Sequence, residues 1–421
     1  MDMKINYLIF WMLFLGVAGC SPSEYKFMEN GYIDVADVSK IVLRPNHYQL
    51  LTDGYAQVDL CPVVFNEAGI EYRNEKLNDD MFEWETVEGR KLPRYFSTAD
   101  QALNESVFQV FCRLKGTGLI SDTVSITMKE PLQVPLYEEF TIPVVFHVVV
   151  SEEEVLTYGN LSAARIAETM ERLNNISGKA TRNAAGVNTG IQFVLAQYNP
   201  AGELMDEPGI NRVTVEEVTE GTPPDKYHRF LSQNNAIWPH EKYLNIWLMS
   251  ETKYPKFWNS ITKLCVPKYR LGSETLPGLS LPPVPSTWVP KVEQIGILFR
   301  MSTFQYFQRS IDATAERELV TCIGNYLGLL DTWKINNSNV NDQCNDTFAY
   351  GIVNNNGSLG TNSSWSKEVG SYRFLSENIM DDPTGTHRSV SKDQALRMYW
   401  VLKNCAGRSM WQSDFALTGK E

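Results

Sequence analysis

Thr321, Cys322, Asn325 and Asp331 stand at a spacing that, with other side chains, holds a catalytic metal ion. In the pattern HExxHxxGxxH, two histidines four apart on one helical face bind the ion and the glutamate after the first activates a bound water. A glycine then turns the chain so that a third histidine completes the site. The chemistry would be attack of that water on an amide carbonyl. Gly328 occupies the turn, Thr321, Asn325 and Asp331 occupy the three histidine positions, and Cys322 occupies that of the glutamate. A neutral Thr hydroxyl is a poor zinc ligand, an Asn amide oxygen prefers harder ions, and Asp331 alone is acceptable. A thiol does not replace a carboxylate base. The expectation is a frame without catalytic residues and without a bound metal.

Five histidines are available for any other site: His47, His147, His228, His240 and His387. His240-Glu241 runs into the strand-like Tyr243 to Leu248, with Leu244 where a second ligand would stand, and reads as a chance match. His147 lies in an apolar run and reads as a satisfied core or sheet-face residue. His387, in Thr384-Gly385-Thr386-His387, reads as a solvated loop residue. A Cys322/His387 nucleophile and base pair has no support in the spacing, and a buried thiol is the plainer reading of Cys322.

The elements that must position these residues are legible in the periodicity. Val320, Ile323, Leu327 and Leu330 form an apolar helical stripe, which leaves Thr321 and Asn325 together on another face. Thr141 to Val150 is nearly continuous apolar sequence, as in a strand covered on both faces. Ser162 to Ile176 has helical spacing through Ile166, Met170, Leu173 and Ile176, and Gly190 to Ala196 returns to a strand. The Pro-rich stretch between Cys265 and Val292, including Leu281 to Pro285, excludes helix and would lie near a cleft rim, shaping a ligand groove or forming a surface insertion without a ligand. Asn336 to Ser364 reads as a mobile loop. Residues 30–130 show short alternating runs, among them Lys40 to Leu43, Ala56 to Leu60 and Val124 to Met128, the pattern of an immunoglobulin-like β-sandwich, with Lys129 to Pro135 as linker. The fold class is α+β.

Several segments together resemble one family. Gly324-Asn325-Tyr326-Leu327-Gly328-Leu329-Leu330-Asp331-Thr332-Trp333 is similar to G-H-Y-L-G-L-L-H-T-[FW] with the histidines replaced. Ile142 to Val149 resembles an opening strand, Leu244 to Leu248 a later one, and Asp342-Gln343-Cys344-Asn345-Asp346-Thr347 a loop after the metal helix. Ser376 to Asp382 resembles a Met-turn, and Gln394 to Met398 the final helix. The likeness is to the pappalysin-like branch of the metzincins, in particular the zinc-dependent metalloproteinase lipoproteins of Gram-negative bacteria. It implies that residues 137–421 form a metzincin-like mixed-sheet domain with a central former metal-site helix, and that Met380 is the Met-turn methionine beneath the site.

Met1 to Gly19 carries an early Lys4, an apolar run from Tyr7 to Leu15, and Val17-Ala18-Gly19-Cys20, which reads as a lipoprotein signal peptide (1–19) with lipid attachment at Cys20 and a tether over 20–29. Export to the outer membrane follows, the leaflet staying open, with membrane association through the anchor. In an oxidising compartment Cys61 and Cys112 are candidates to bridge the sandwich, and Cys344 and Cys405 to pair in the second half. A net charge of -12 gives no electrostatic footprint for nucleic acid. Length points to two or three domains. Three readings of function follow: a lipid-anchored pseudopeptidase binding a polypeptide or protein partner in the former cleft, an active zinc metalloendopeptidase using a non-standard set such as Asp331 with Asp381, Asp382 or His387, or a purely structural envelope domain. Zinc is a cofactor only in the second.

Overall fold

The computed structural model describes residues 34–72, 78–99, 106–132, 139–151, 161–178, 185–215, 235–249, 267–289, 295–300, 314–335, 340–352, 366–369 and 372–420. The signal segment with Cys20, the linker centre at 133–138, His228 and Cys265 lie outside the described residues. The chain is a strand-rich α+β protein that divides into two compact units. One comprises Met1–Val42, Pro62–Glu83 and Cys112–Asp122, the other Leu43–Cys61, Trp84–Phe111 and Thr123–Glu421.

The first eight strands are β1 (Lys40–Pro45), β2 (Gln49–Leu51), β3 (Gln57–Phe65), β4 (Phe82–Thr86), β5 (Lys91–Leu92), β6 (Tyr95–Ser97), β7 (Val107–Leu114) and β8 (Val124–Lys129). They form a three-stranded sheet in the order β1-β3-β6 and a five-stranded sheet in the order β2-β8-β7-β4-β5. Alternation dictates the buried face: β7 buries Phe108 and Val110 and exposes Val107 and Gln109, as a half-covered strand must. In the second unit the Trp84 indole donates to Leu60 O at 2.7 Å, and Phe96 meets Phe108 edge to face at 5.6 Å. β2 joins β8 in parallel rather than antiparallel register.

The larger sheet contains β9 (Phe140–Ser151), β10 (Ile191–Leu195), β11 (Ile210–Val215), β12 (Leu244–Met249) and β13 (Ile297–Arg300). Its order is β10-β9-β12-β13, with β11 also on β9, and every pairing is parallel. β9 is central, and Ile142 through Val150 are buried without alternation, which explains the continuous apolar run. Helix α1 (Ala163–Ser177) begins at Ser162, whose hydroxyl accepts from Arg165 N, and buries Ile166, Met170, Leu173 and Ile176. Asn174 fastens it to β10 by donating to Phe193 O and accepting from Phe193 N, both at 2.8 Å.

Helix α2 (Thr314–Tyr326) leads to β14 (Trp333–Ile335) and β15 (Tyr350–Ile352), which pair in parallel, and β16 (Ser366–Val369) pairs antiparallel with β17 (Tyr372–Leu375). Helix α3 (Lys392–Asn404) opens on a capping box: the Ser391 hydroxyl accepts from Gln394 N while the Gln394 side chain accepts from Ser391 N. Helix α4 (Phe415–Thr418) is the last helix among the described residues. Among the described residues no helix is long and apolar enough to cross a membrane.

The expected disulfides are not formed. Cys61, Cys112, Cys344 and Cys405 are all thiols. Cys344 and Cys405 both feel the Arg397 guanidinium, yet burial outweighs it, raising both thiols, Cys405 to about 11.

Candidate functional site

Helix α2 ends where the sequence requires it. Leu329 N donates to Gly324 O and Gly328 N to Asn325 O, both at 2.9 Å, with Gly328 at φ +84°, a Schellman closure that needs a left-handed residue. A Cβ on Gly328 would run into Val401 of α3. The helix end is held from outside by two buried guanidiniums. Arg397 donates to Gly328 O at 2.6 Å, and Arg408 donates through Nε and Nη2 to Tyr326 O at 3.1 Å while stacking on the Tyr326 ring. The Pro-rich segment also packs here: Gly278 lies against Leu330 and Gln343, and Pro277 O accepts from Arg397 at 2.6 Å.

The turn at Ser376–Asp382 runs beneath this helix. Met380 is fully buried, and a Cβ on Gly324 would stand 2.5 Å from its sulfur, so the glycine is what lets helix and turn approach. Hydrogen bonds fix the turn. Met380 N donates to Asn378 Oδ1 at 2.9 Å, Asp381 N donates to Asn378 O at 3.1 Å, and Thr332 N donates to Met380 O at 3.1 Å. Asn378 and Gln394 exchange amide hydrogen bonds at 2.8 and 2.9 Å, tying the turn to α3.

The four positions singled out by spacing fall as follows. Thr321 Oγ1 donates to Ile379 O at 2.7 Å and lies 3.3 Å from His387 Nδ1. Cys322 is buried. The Asn325 amide is hydrogen-bonded to the Asp331 carboxyl, the two remaining positions thus meeting each other. Asp331 shows surface area, yet the protein around it desolvates the carboxyl enough to raise it above the ordinary range against that hydrogen bond and Lys334.

His387 corrects the expectation of a solvated loop residue, since it is buried. Its backbone sits at φ +49°, which turns the ring inward, and Nε2 lies 3.0 Å from Asp382 O. A carbonyl only accepts, so Nε2 carries the proton and the other nitrogen faces Thr321. Nothing within Thr384 to His387 signals this: the fold-back depends on Gly385 lying against Ser376, outside that segment.

Two carboxylates below the helix are also committed. Asp381 accepts from the Thr332 hydroxyl at 2.6 Å and from the Ser376 hydroxyl and Asn378 N at 3.0 Å each. Burial nevertheless raises it to about 7, the three donors opposing. Asp382 accepts from the Tyr350 hydroxyl at 2.6 Å and pairs with Lys367 at 2.9 Å. Burial would raise it, but hydrogen bonds from Thr384, Tyr350 and Lys367 win and hold it low. Tyr350 and Lys367 lie in or beside the stretch read only as loop, with no sequence signal for this role.

The other histidines stand apart. His147 on β9 is buried with Nε2 2.8 Å from Asn245 Oδ1 and Nδ1 2.9 Å from Asn211 Nδ2, which fixes a neutral tautomer; burial lowers its pKa to about 4. His240 meets its neighbour Glu241 at 3.3 Å and the Trp288 ring edge. Among the described residues no group of three or more His, Cys, Asp or Glu side chains could hold a metal ion.

A parallel sheet, a helix closed at Gly328 and a hydrogen-bonded turn carrying Met380 thus define the site. Among solved structures the chain is similar to mature mirolysin of Tannerella forsythia in complex with a cleaved peptide, at 20% identity and TM-score 0.45 over 68% of this chain and 99% of that one. It is also similar to Tannerella forsythia promirolysin, at 19% identity and TM-score 0.43 over 66% and 85%. No family model and no curated protein matches the chain.

Proposed function

We propose that residues 137–421 are a degenerate metzincin-like zinc-peptidase domain that binds a polypeptide or protein partner without cleaving it. In this reading residues 30–130 are an immunoglobulin-like spacer, and the chain is tethered to the outer membrane by lipid on Cys20. The observation that carries the reading is the commitment of the ligand positions inside the protein. The Thr321 hydroxyl gives its proton to Ile379 O, and Asn325 is bonded to Asp331. Zinc needs donors with lone pairs converging on one point, and a hydroxyl, an amide and one carboxylate already hydrogen-bonded to that amide do not fit it. The non-standard set fares no better, because Asp381 and Asp382 are committed to donors within the protein, which leaves the His387 nitrogen that faces Thr321 as a single lone pair where zinc needs three or four converging donors.

The test is a cleavage assay on a mixed peptide library with added zinc, beside binding of the same library. Binding without cleavage is expected. Cleavage abolished by a chelator would overturn the reading. The variant combining Thr321→His, Cys322→Glu, Asn325→His and Asp331→His is expected to take up one zinc; a folded variant that takes up none would show that the frame is not that of a zinc peptidase.

A further inference from the structure

A cavity of about 100 Å³ opens between His47–Gln49, which precede and enter β2, and the residues around the buried turn, within the second unit and apart from Thr321 and Asn325. Its walls are aromatic: Tyr48 stacks on Phe348 at 6.3 Å between centroids, and Phe348 lies 4.4 Å from Phe374. Three carboxyl groups, those of Asp346, Glu377 and Asp381, stand among its polar groups. His47 Nε2 and Glu377 Oε2 face each other at 3.9 Å, too far for a hydrogen bond. Burial lowers His47 to about 4, so at neutral pH the imidazole is uncharged and adds nothing to Arg388, the cation that acts on Glu377 from outside the lining. Asp346 and Asp381 also line the space, while no Lys or Arg does. Lys129 reaches Asp346 at 3.6 Å and is not among the lining residues. Gln49, another lining residue, holds a buried side-chain oxygen that no group donates to.

We propose that this cavity binds a protonated amine, the ammonium or guanidinium head found at the end of a lysine or arginine side chain. Two acceptors 3.9 Å apart admit a cationic nitrogen at hydrogen-bond distance from both. Aromatic faces attract a desolvated cation through their quadrupoles, and more strongly where water is excluded. The lining holds the three carboxyl groups of Glu377, Asp346 and Asp381 and neither Lys nor Arg, which selects against anions although Asp381 is raised to about 7 and Arg388 and Lys129 act on Glu377 and Asp346 from outside it. The inference is independent of the peptidase reading, because it uses none of the former ligand positions.

The test is calorimetric titration of the full chain at neutral pH with n-butylammonium chloride, n-butanol, calcium chloride and the peptide Gly-Lys-Gly. Saturable binding of n-butylammonium at least tenfold tighter than n-butanol is expected. Glu377→Gln, with its fold checked by circular dichroism, should weaken the amine at least tenfold, and Phe348→Leu severalfold. Tighter binding of the tripeptide would assign the site to polypeptide side chains, and equal binding to small amines. No binding, equal affinity for n-butanol, or undiminished binding by folded Glu377→Gln would overturn the proposal. So would calcium binding that excludes the amine, which would make the cavity a metal site.

Discussion

Thr321 holds its place by giving its proton to a backbone carbonyl of the turn beneath it. Thr321→Val should therefore leave Ile379 O without its donor and cost about 1–3 kcal/mol, whereas Thr321→Ser should cost less than about 1 kcal/mol. Urea denaturation of both variants separates this from loss of a methyl group. Asp381 gives a prediction with a definite sign. Its folded carboxyl is raised to about 7 from 3.8. Its contribution is thus complete below pH 3.8 and is lost as the pH rises through about 7. Glu377, Asp342 and Asp331 are raised too and add to the same slope. Asp381→Asn should make the fall in stability between pH 4 and 7 shallower, even if the variant is less stable throughout, and an unchanged slope would contradict the assignment. Spacing alone placed Thr321 and Asn325 on one helical face. It could not reveal that His387 folds back onto Thr321, because that depends on a positive φ and on a glycine packed against Ser376.

At the scale of elements, the helix end and the turn behave as one assembly. Gly328→Ala must place a Cβ at φ +84° and against Val401, so a loss of about 1–3 kcal/mol is expected by chemical denaturation. Ser391 caps α3 and its hydroxyl also lies 2.5 Å from Asp346 Oδ1. Ser391→Ala should cost about 1–2 kcal/mol, with the amides of the first turn of α3 exchanging faster. The apolar stripe of α2 was readable because Val320, Ile323 and Leu327 repeat at helical spacing and are buried. The continuous run of β9 likewise announced a strand covered on both faces. Tyr350 and Lys367 were not readable as partners of Asp382, since a loop-like composition carries no register and the pairing comes from distant backbone.

In the molecule as a whole, Leu43–Cys61 and Trp84–Phe111 share the second compact unit with the later domain. Leu375 N donates to Asn46 O at 3.1 Å, Lys392 donates to Glu130 O at 3.2 Å, and Lys129 stands 3.6 Å from Asp346 and 3.8 Å from Asp393. A chain beginning at residue 139 loses these partners and one wall of the cavity, so it should melt below the full chain. Cysteine counting failed at this scale because pairing depends on which strands and helices bring thiols together, and that order is not contained in the spacing. Thr321, Asn325 and Asp331, at the former ligand positions, are held by the protein's own hydrogen bonds. Metal content after zinc loading and desalting, read together with the melting temperature with and without zinc, tests this most directly. Substoichiometric zinc and no shift are expected; one tightly held zinc per chain with a raised melting temperature would mean that these positions still bind the metal.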